Sequence, residues 1–475
     1  MKNKTLLHII FFCLTIQSTT AQNWQWWPLG LTHDKLIGDT LYYNAKVLGV
    51  ASSGTYAPFW LQSNRNGNIS ASPYSGNISI GLCKPATQPH RWFDYDFGVA
   101  LTGRFSPQHA TGYFNDLYAH VRLYIIDITA GIHSFHAGSQ DPFVSMGGLL
   151  FSSNAHPLPR ISIGIDEYIP FPGLFGYMEI KGGVTHGWFA DACCLDSTKA
   201  TIGTLLHYKF AGVRLGGKLP INISYEFHHA AQWGGISPIY GVQSTSWQTY
   251  KNIFMADKGG NSLSDQLNAE GNHIGFQELA VSAKWDKWRI TAYWQTLFED
   301  MSAAFIGCKN QTDGLWGLSI RQDQWPFIQR VTYEFMNTTG QDGPWHDKDG
   351  LVYGGRSDYF NNSCYPQGWT YFGQTIGNPF IRPDNNRVRI HHIGLAGDIY
   401  GFNYRVMGSY GKYWGTYKHP QQHTNTSLLL EVTKEVKQAW GINFGLRLAA
   451  DFGTLYGNHF GAMLTISKQG IIHSY

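Results

Sequence analysis

The sequence predicts an all-β protein, a transmembrane antiparallel β-barrel of the outer-membrane kind with long extracellular loops and short periplasmic turns. Three observations carry this. The chain opens with an export signal that no apolar helix follows. Its body alternates apolar and polar residues with a period of two. The connections between the alternating runs are short and long by turns.

The first residues read MKNKTLLHIIFFCLTIQSTTAQNW. Lys2 and Lys4 give a positive start, Leu6 to Ile16 a short apolar run, and Thr19 and Ala21 small residues before a cut after Ala21. That is the layout of a secretory signal peptide. Beyond it, no stretch reaches the roughly 18–20 apolar residues of a membrane helix. An exported chain without such a span is either soluble or crosses the bilayer as a closed barrel, where strands satisfy one another's backbone groups. Charged residues make up 14% of the 475, against about 25% in ordinary globular domains. A formal net charge of +3 leaves no basic footprint for nucleic acid. Five cysteines follow the signal, Cys83, Cys193, Cys194, Cys308 and Cys364, odd in number and too irregular for a disulfide framework.

Alternation is plain in INISYEFH, where Ile221, Ile223, Tyr225 and Phe227 interleave with Asn222, Ser224, Glu226 and His228. WGINFGLRLA and GFNYRVMGSY repeat it. Such a period means strands with one apolar and one polar face. In ELAVSAKWDKWRITAYWQ two runs meet at Asp286-Lys287, with Trp285 and Trp288 on the apolar face beside the turn. Paired tryptophans there fit an aromatic girdle at a membrane interface. Further short turns are expected around 322–324, 397–400 and 434–438, and long connections over 236–272, 299–312, 337–386 and 415–425. With the WDKW turn periplasmic, the count makes 337–386 extracellular and leaves both ends of the barrel on the periplasmic side. The expected division is a signal over 1–21, a lead segment over 22–40, the barrel over 41–467 and a tail over 468–475.

Several segments, in this order along the chain, resemble the Wzi family of outer-membrane capsule-assembly proteins in its Bacteroidetes form. They are ASSGTYAPFWLQSNRNG (51–67), GGLLFSSNAHPLPRISIGI (147–165), KGGVTHGWF (181–189), HHAAQWGG (228–235), YEFMNTTGQDGPWHD (333–347), SDYFNNSCYPQGWTYFGQTIGNPFI (357–381) and NNRVRIHHIG (385–394). The resemblance implies an eighteen-stranded barrel that holds capsular polysaccharide on the cell surface as a lectin, without chemistry. It implies polysaccharide, outer-membrane lipid and, during biogenesis, the barrel-assembly machinery as partners. The enterobacterial branch carries an N-terminal helical bundle closing the periplasmic end. No bundle of that size is expected here.

A glycan site wants planar amides, charged forks and aromatic faces. Residues 354–377 supply them in Arg356, Asp358, Tyr359, Asn361, Asn362, Trp369, Tyr371 and Gln374. The alternative for the same stretch is an inward-packed plug. HHAAQWGG adds Gln232 and Trp233 as rim candidates. In APFWLQSNRNG, expected to end the first strand at the rim, Trp60 and Arg65 read as rim or interior packing. The proline-rich run from His156 to Gly173 reads as an irregular structural segment. His228-His229 and His391-His392 are neighbours, face opposite ways on a strand and cannot clamp one metal together. No H-E-x-x-H, P-loop or nucleophile-elbow pattern occurs, so neither metal, cofactor nor catalysis is expected. The competing function is a channel for oligosaccharides or other small solutes, for which polar lumen residues such as Glu226, Arg330, Glu334, Arg405 and Arg447 are equally suited. A soluble β-sandwich adhesin ranks third.

Overall fold

The computed structural model describes residues 25–26, 31–32, 40–86, 92–107, 109–260, 266, 269–299, 313–342, 347–348, 351–352 and 357–474. The expected signal peptide and its cut after Ala21 lie outside them. Eighteen strands form one closed barrel. They are β1 (Thr40–Ser52), β2 (Tyr74–Lys84), β3 (Phe93–Phe105), β4 (Ala110–Leu123), β5 (Ile126–Ile132) and β6 (Pro159–Pro170). Next come β7 (Met178–Trp188), β8 (Leu205–Leu215), β9 (Ile221–Trp233), β10 (Asn272–Trp285), β11 (Trp288–Phe298) and β12 (Gly314–Gln322). The circuit ends with β13 (Arg330–Asn337), β14 (Val388–Ile399), β15 (Phe402–Gly415), β16 (Pro420–Val436), β17 (Ile442–Gly453) and β18 (His459–Ser474). Each strand pairs antiparallel with its successor in sequence, and β18 returns to β1 with Ser467 opposite Lys46 and Ser474 opposite Thr40. No helix among the described residues is long and apolar enough to cross a membrane.

The period-two pattern sorts the faces. On β2, Ile78 and Ile80 are 53% and 58% exposed while Asn77 and Ser79 between them are buried. Ile223, Val281, Ile393, Leu430 and Leu464 repeat the outward apolar position around the wall. A continuous belt of exposed large aliphatics is a liability in water and the required surface in lipid. Exposed aromatics border it at both ends: Trp92, Tyr124, Phe175, Trp285, Tyr400 and Trp440 by the short turns, Tyr74, Phe105, Trp188, Trp316 and Phe460 by the loops. The tightest turns place Tyr124, Asp286 and Tyr400 at positive φ, the twist that two-residue hairpins need. Odd-numbered strands end at the loop end and even-numbered ones at the short-turn end, with Thr40 and Ser474 both at the latter. The expected parity therefore holds.

Four boundaries differ from the sequence reading. The connection expected over 415–425 shrinks to 416–419, because the polar run from Pro420 to Asn425 is the top of a long strand β16. The last strand continues to Ser474 rather than stopping at Ser467, because residues 468–474 pair with the first residues of β1 instead of forming a tail. Residues 159–170 are strand β6, not an irregular segment; Pro159 and Pro170 stand at its two ends, where a missing amide costs least. The first strand stops at Ser52, and residues 53–73 turn into the lumen, where Phe59–Gln62 make a single helical turn.

Val281 lies near the middle of the lipid belt, and Val281→Arg is expected to lower stability by about 2–4 kcal/mol. Denaturant unfolding in lipid vesicles measures this. The lumen-facing neighbour Ser282→Arg should cost distinctly less.

Candidate functional site

The polar inner face of the wall is occupied by the protein's own loops. Residues 133–158, between β5 and β6, fold into the lumen and are tied there by inward side chains of β10 to β15. Glu278 accepts the Ser139 amide at 2.9 Å and the Gln295 side-chain amide at 2.7 Å. Glu334 accepts the Ser145 hydroxyl at 2.7 Å and the Met146 amide at 2.6 Å. Asp141 meets Arg321 at 2.7 Å and Arg330 at 3.0 Å. His392 donates to the Val144 carbonyl at 2.9 Å and Arg405 to that of Phe143 at 2.7 Å. A buried carboxylate or guanidinium needs such partners to offset its lost hydration. Residues 53–73 are held likewise: the Phe59 amide donates to Asp451 at 2.8 Å, and Arg65 lies 3.8 Å from Glu431, which also pairs with Arg405 and Arg447.

Onto these two segments the stretch 357–387 is laid as a plug. The Trp369 indole donates to the Leu150 carbonyl at 2.9 Å, and the Asn378 side chain to that of Gly147 at 2.7 Å. Asn154 reaches the Thr375 carbonyl at 2.9 Å. A methyl group at Gly377 would collide with the Leu149 carbonyl oxygen, so the two segments approach as closely as glycine allows. Phe59, Trp60, Leu149, Phe151, Phe189, Phe360, Trp369, Ile376 and Phe380 join one apolar core with the inward side chains of the wall. Phe59 and Phe380 rings lie 4.4 Å apart, Phe151 and Trp369 5.7 Å.

This burial corrects the expected exposed aromatic faces. Tyr359 and Trp369 are fully buried and Tyr371 nearly so, because they supply the plug's contact with the loops beneath. The Tyr359 hydroxyl sits 3.2 Å from both Asp313 and Asp342. Asp358 is half-buried, accepts from Asn361 at 3.0 Å and Asn386 at 2.8 Å, and meets the exposed Lys418 at 3.4 Å. Asn361 donates to the Pro383 carbonyl and Asn362 accepts the Cys364 amide. Asn361, Asn362 and Gln374 remain half-buried on the plug. Arg356 lies outside the described residues. Gln232 and Trp233 do not share a site, since neighbours on a strand face opposite ways. Gln232 points inward to the Gly368 carbonyl at 3.2 Å, while Trp233 is buried on the outer wall against Tyr250. His228 and His229 separate in the same manner, one stacked on Phe276 in the lumen, the other on His273 outside. Trp60 and Arg65 lie in the interior, not at the rim. Among the described residues no group of ligating side chains could hold a metal ion.

The half of the lumen nearer the short turns keeps a cavity of about 510 Å³, a vestibule below the plug. Its charges are matched along the wall: Arg122 with Asp127 at 2.7 Å, Lys181 with Glu226 at 2.7 Å, and Glu226 again with His228 at 2.9 Å and Tyr168 at 3.0 Å. Such a surface offers hydrogen bonds without a field of one sign. Sequence reasoning missed Glu278 and Gln295, and it read Glu334 as a lumen residue without its role as a tether. They sit in the same inward register as any pore-lining residue, and only the folded-in loop distinguishes the two roles.

A closed, loop-filled transmembrane barrel of the outer-membrane class is thus defined. Among solved structures it is similar to Wzi of Escherichia coli, an outer membrane protein involved in group 1 capsule assembly and a carbohydrate-binding β-barrel. The identity is 14%, the match covers 89% of this chain and 84% of that one, and the TM-score is 0.55. OpdQ of Pseudomonas aeruginosa matches at 10% identity over 91% of this chain and 99% of that one with a TM-score of 0.47. OccAB2 of Acinetobacter baumannii matches at 7% over 91% and 98%, also at 0.47. At these identities the likeness is one of fold. No family model and no curated protein matches the chain.

Two outcomes are expected of the plug. Trp369→Ala should cost about 3–5 kcal/mol, as a cavity opens where a fully buried ring stood; thermal unfolding of the purified barrel reads it. Asp313, just before β12, accepts the Gly340 amide at 2.8 Å, and burial pushes its carboxyl up to about 6 against the lowering by the Gly340 and Gln341 amides, Tyr359 and Arg389. A raised carboxyl binds its proton more tightly folded than unfolded, so its contribution is full below the unfolded value near 4 and lost as the pH rises through 6. Hydrogen exchange of the 338–342 amides should therefore slow as pH falls from 7 to 5, after correction for intrinsic rates, and Asp313→Asn should flatten that dependence.

Proposed function

We propose that this chain is an outer-membrane protein that holds a capsular or other surface polysaccharide at its loop end as a lectin, without catalysis. In this reading it is exported by the N-terminal signal cut after Ala21. The observation that carries the proposal is the seal. A core built from three folded-in segments crosses the lumen on the loop side of the vestibule, where a diffusion pore needs continuous water. The sequence resemblance to the Wzi family and the fold likeness to the Escherichia coli barrel support the same reading. With Tyr359, Trp369 and Tyr371 buried and Phe372 exposed, the plug offers mainly polar groups to a glycan. Asn361, Asn362 and Gln374 are half-buried on it; Asn361 joins Asp358, which meets Lys418, and reaches the Pro383 carbonyl within the exposed Arg382–Asp384 pair. Amides and charged forks of this kind match sugar hydroxyls in pairs.

The vestibule of about 510 Å³ favours the second reading, a channel for oligosaccharides or other small solutes. Two measurements separate them. Deleting the gene should move surface polysaccharide from cells into the medium. Wild type should restore retention, and an Asn362→Ala, Gln374→Ala double variant at equal surface abundance should restore it only in part. In planar bilayers the wild-type protein should show no sustained conductance. Polysaccharide that stays with the cells in every strain, together with a steady conductance, would put the channel first.

A further inference from the structure

The connection 234–271 between β9 and β10 carries the helix α1, Trp247–Met255, capped by the Ser246 hydroxyl on the Thr249 amide at 3.2 Å and ended by Ala256 in the left-handed region. Strand parity decides where α1 lies. On β8 and β9 the odd-numbered residues Val213, Leu215, Ile221 and Ile223 are exposed to lipid, and the even-numbered Tyr208, Glu226 and His228 are buried in the lumen. The side chains of β8 and β9 that touch α1 are odd-numbered, and His186 of β7, opposite His207 and so on the same outward face, lies 6.3 Å from Tyr250. Trp233 packs 5.5 Å from Tyr250, His207 5.7 Å from Tyr250 and 5.3 Å from Phe254, and Lys209 donates to the Phe254 carbonyl. Ala231, Trp233 and Ile253 form a small apolar core of their own, apart from that of the lumen. The helix therefore lies against the outside of the barrel.

What it covers there is polar. His207, Lys209, His229 and His273 all point outward, with His229 and His273 ring nitrogens 2.8 Å apart. A strand tilted by about 40° climbs roughly 2.5 Å per residue along the membrane normal. His207 thus stands on the order of 20 Å above Leu215, at the outer margin of a belt about 25 Å tall. The helix shields from acyl chains a patch that lipid would not solvate.

Among the described residues, its other face has no partner outside the helix itself. Trp247 is 69% and Met255 65% exposed, and Lys251 projects between them, its ammonium 5.8 Å from the Trp247 ring. Residues 247, 251 and 255 lie one turn apart along one stripe. Ile239 and Val242 extend the apolar surface along the same connection. A Trp–Lys–Met stripe suits the boundary between headgroups and acyl chains, where rings and thioethers sit in the apolar zone and a lysine reaches up to phosphate. The helix that carries it stands at the outer margin of the lipid belt.

We propose that α1 is an interfacial helix seating outer-leaflet lipid, with acyl chains against Trp247 and Met255 and an anionic headgroup at Lys251. The proposal is independent of the polysaccharide reading.

It is tested on the full mature chain with Cys193, Cys194 and Cys308 changed to Ser. Nitroxide is attached at Met255→Cys, or at Lys199→Cys on the exposed connection 189–204, in vesicles of phosphatidylcholine with or without phosphatidylglycerol. Gel mobility before and after heating verifies that each barrel is folded. The Met255 label should collide more with oxygen, which concentrates in lipid, than with a water-soluble nickel chelate. The Lys199 label should show the reverse. Phosphatidylglycerol should slow the Met255 label, and Lys251→Glu should abolish that slowing. The proposal fails if the nickel chelate reaches both labels equally, which puts α1 in water, or if neither reagent reaches Met255, which means a protein covers it. A slowing that survives Lys251→Glu overturns the headgroup assignment.

Discussion

The structure depends on the backbone having no unpaired strand edge in lipid. Each amide or carbonyl left facing hydrocarbon costs several kcal/mol, so a sheet that crosses a bilayer must close on itself. Closure here is made by the first and last strands, from Thr40 opposite Ser474 up to Ser52 opposite Gly461. Once the ring is complete, alternation does the rest. One face of every strand is handed to lipid, and the other is forced inward with its asparagines, glutamates and arginines. The polar lumen is a by-product of the apolar exterior, and the chain then has to do something with it.

What this chain does is spend the lumen on itself. Inward acids and bases that would line an aqueous pore instead grip three re-entrant segments. Glu278 and Glu334 take amides of 139–146, Asp141 takes two arginines, and Glu431 gathers three. These contacts hold a hydrophobic core inside a membrane protein whose outer surface is also hydrophobic. Removing Glu431 from this network would leave the arginines it gathers buried without their shared carboxylate, which is strongly destabilising.

Much of the wall was legible in the sequence, because period-two alternation and two-residue turns such as Asp286-Lys287 are local properties. Topology followed from counting, and even the opposite facing of His228 and His229 could be derived. The lumen was not legible. Trp369 and Tyr371 in a loop rich in asparagine and glycine look the same whether they meet a sugar or Phe151 and Phe189; the difference lies in partners some two hundred residues away. Gln232 and Trp233 read as rim candidates together, although strand geometry already separates them. The short helix at 247–255 had left a readable trace, a serine cap followed by Trp247, Tyr250, Lys251 and Phe254 at helical spacing inside a chain of strands.

The clasp on residues 59–65 has a consequence for the order of events during assembly. Its two anchors, Asp451 and Glu431, are on β17 and β16, close to the end of the chain, while the segment they hold follows the first strand. Contacts between such distant parts of a chain come late, since a large loop must close before they form. A chain interrupted before β16 would have built most of its wall and none of this clasp. The clasp is consequently a property of the finished molecule alone, and it arrives together with the last seam rather than strand by strand.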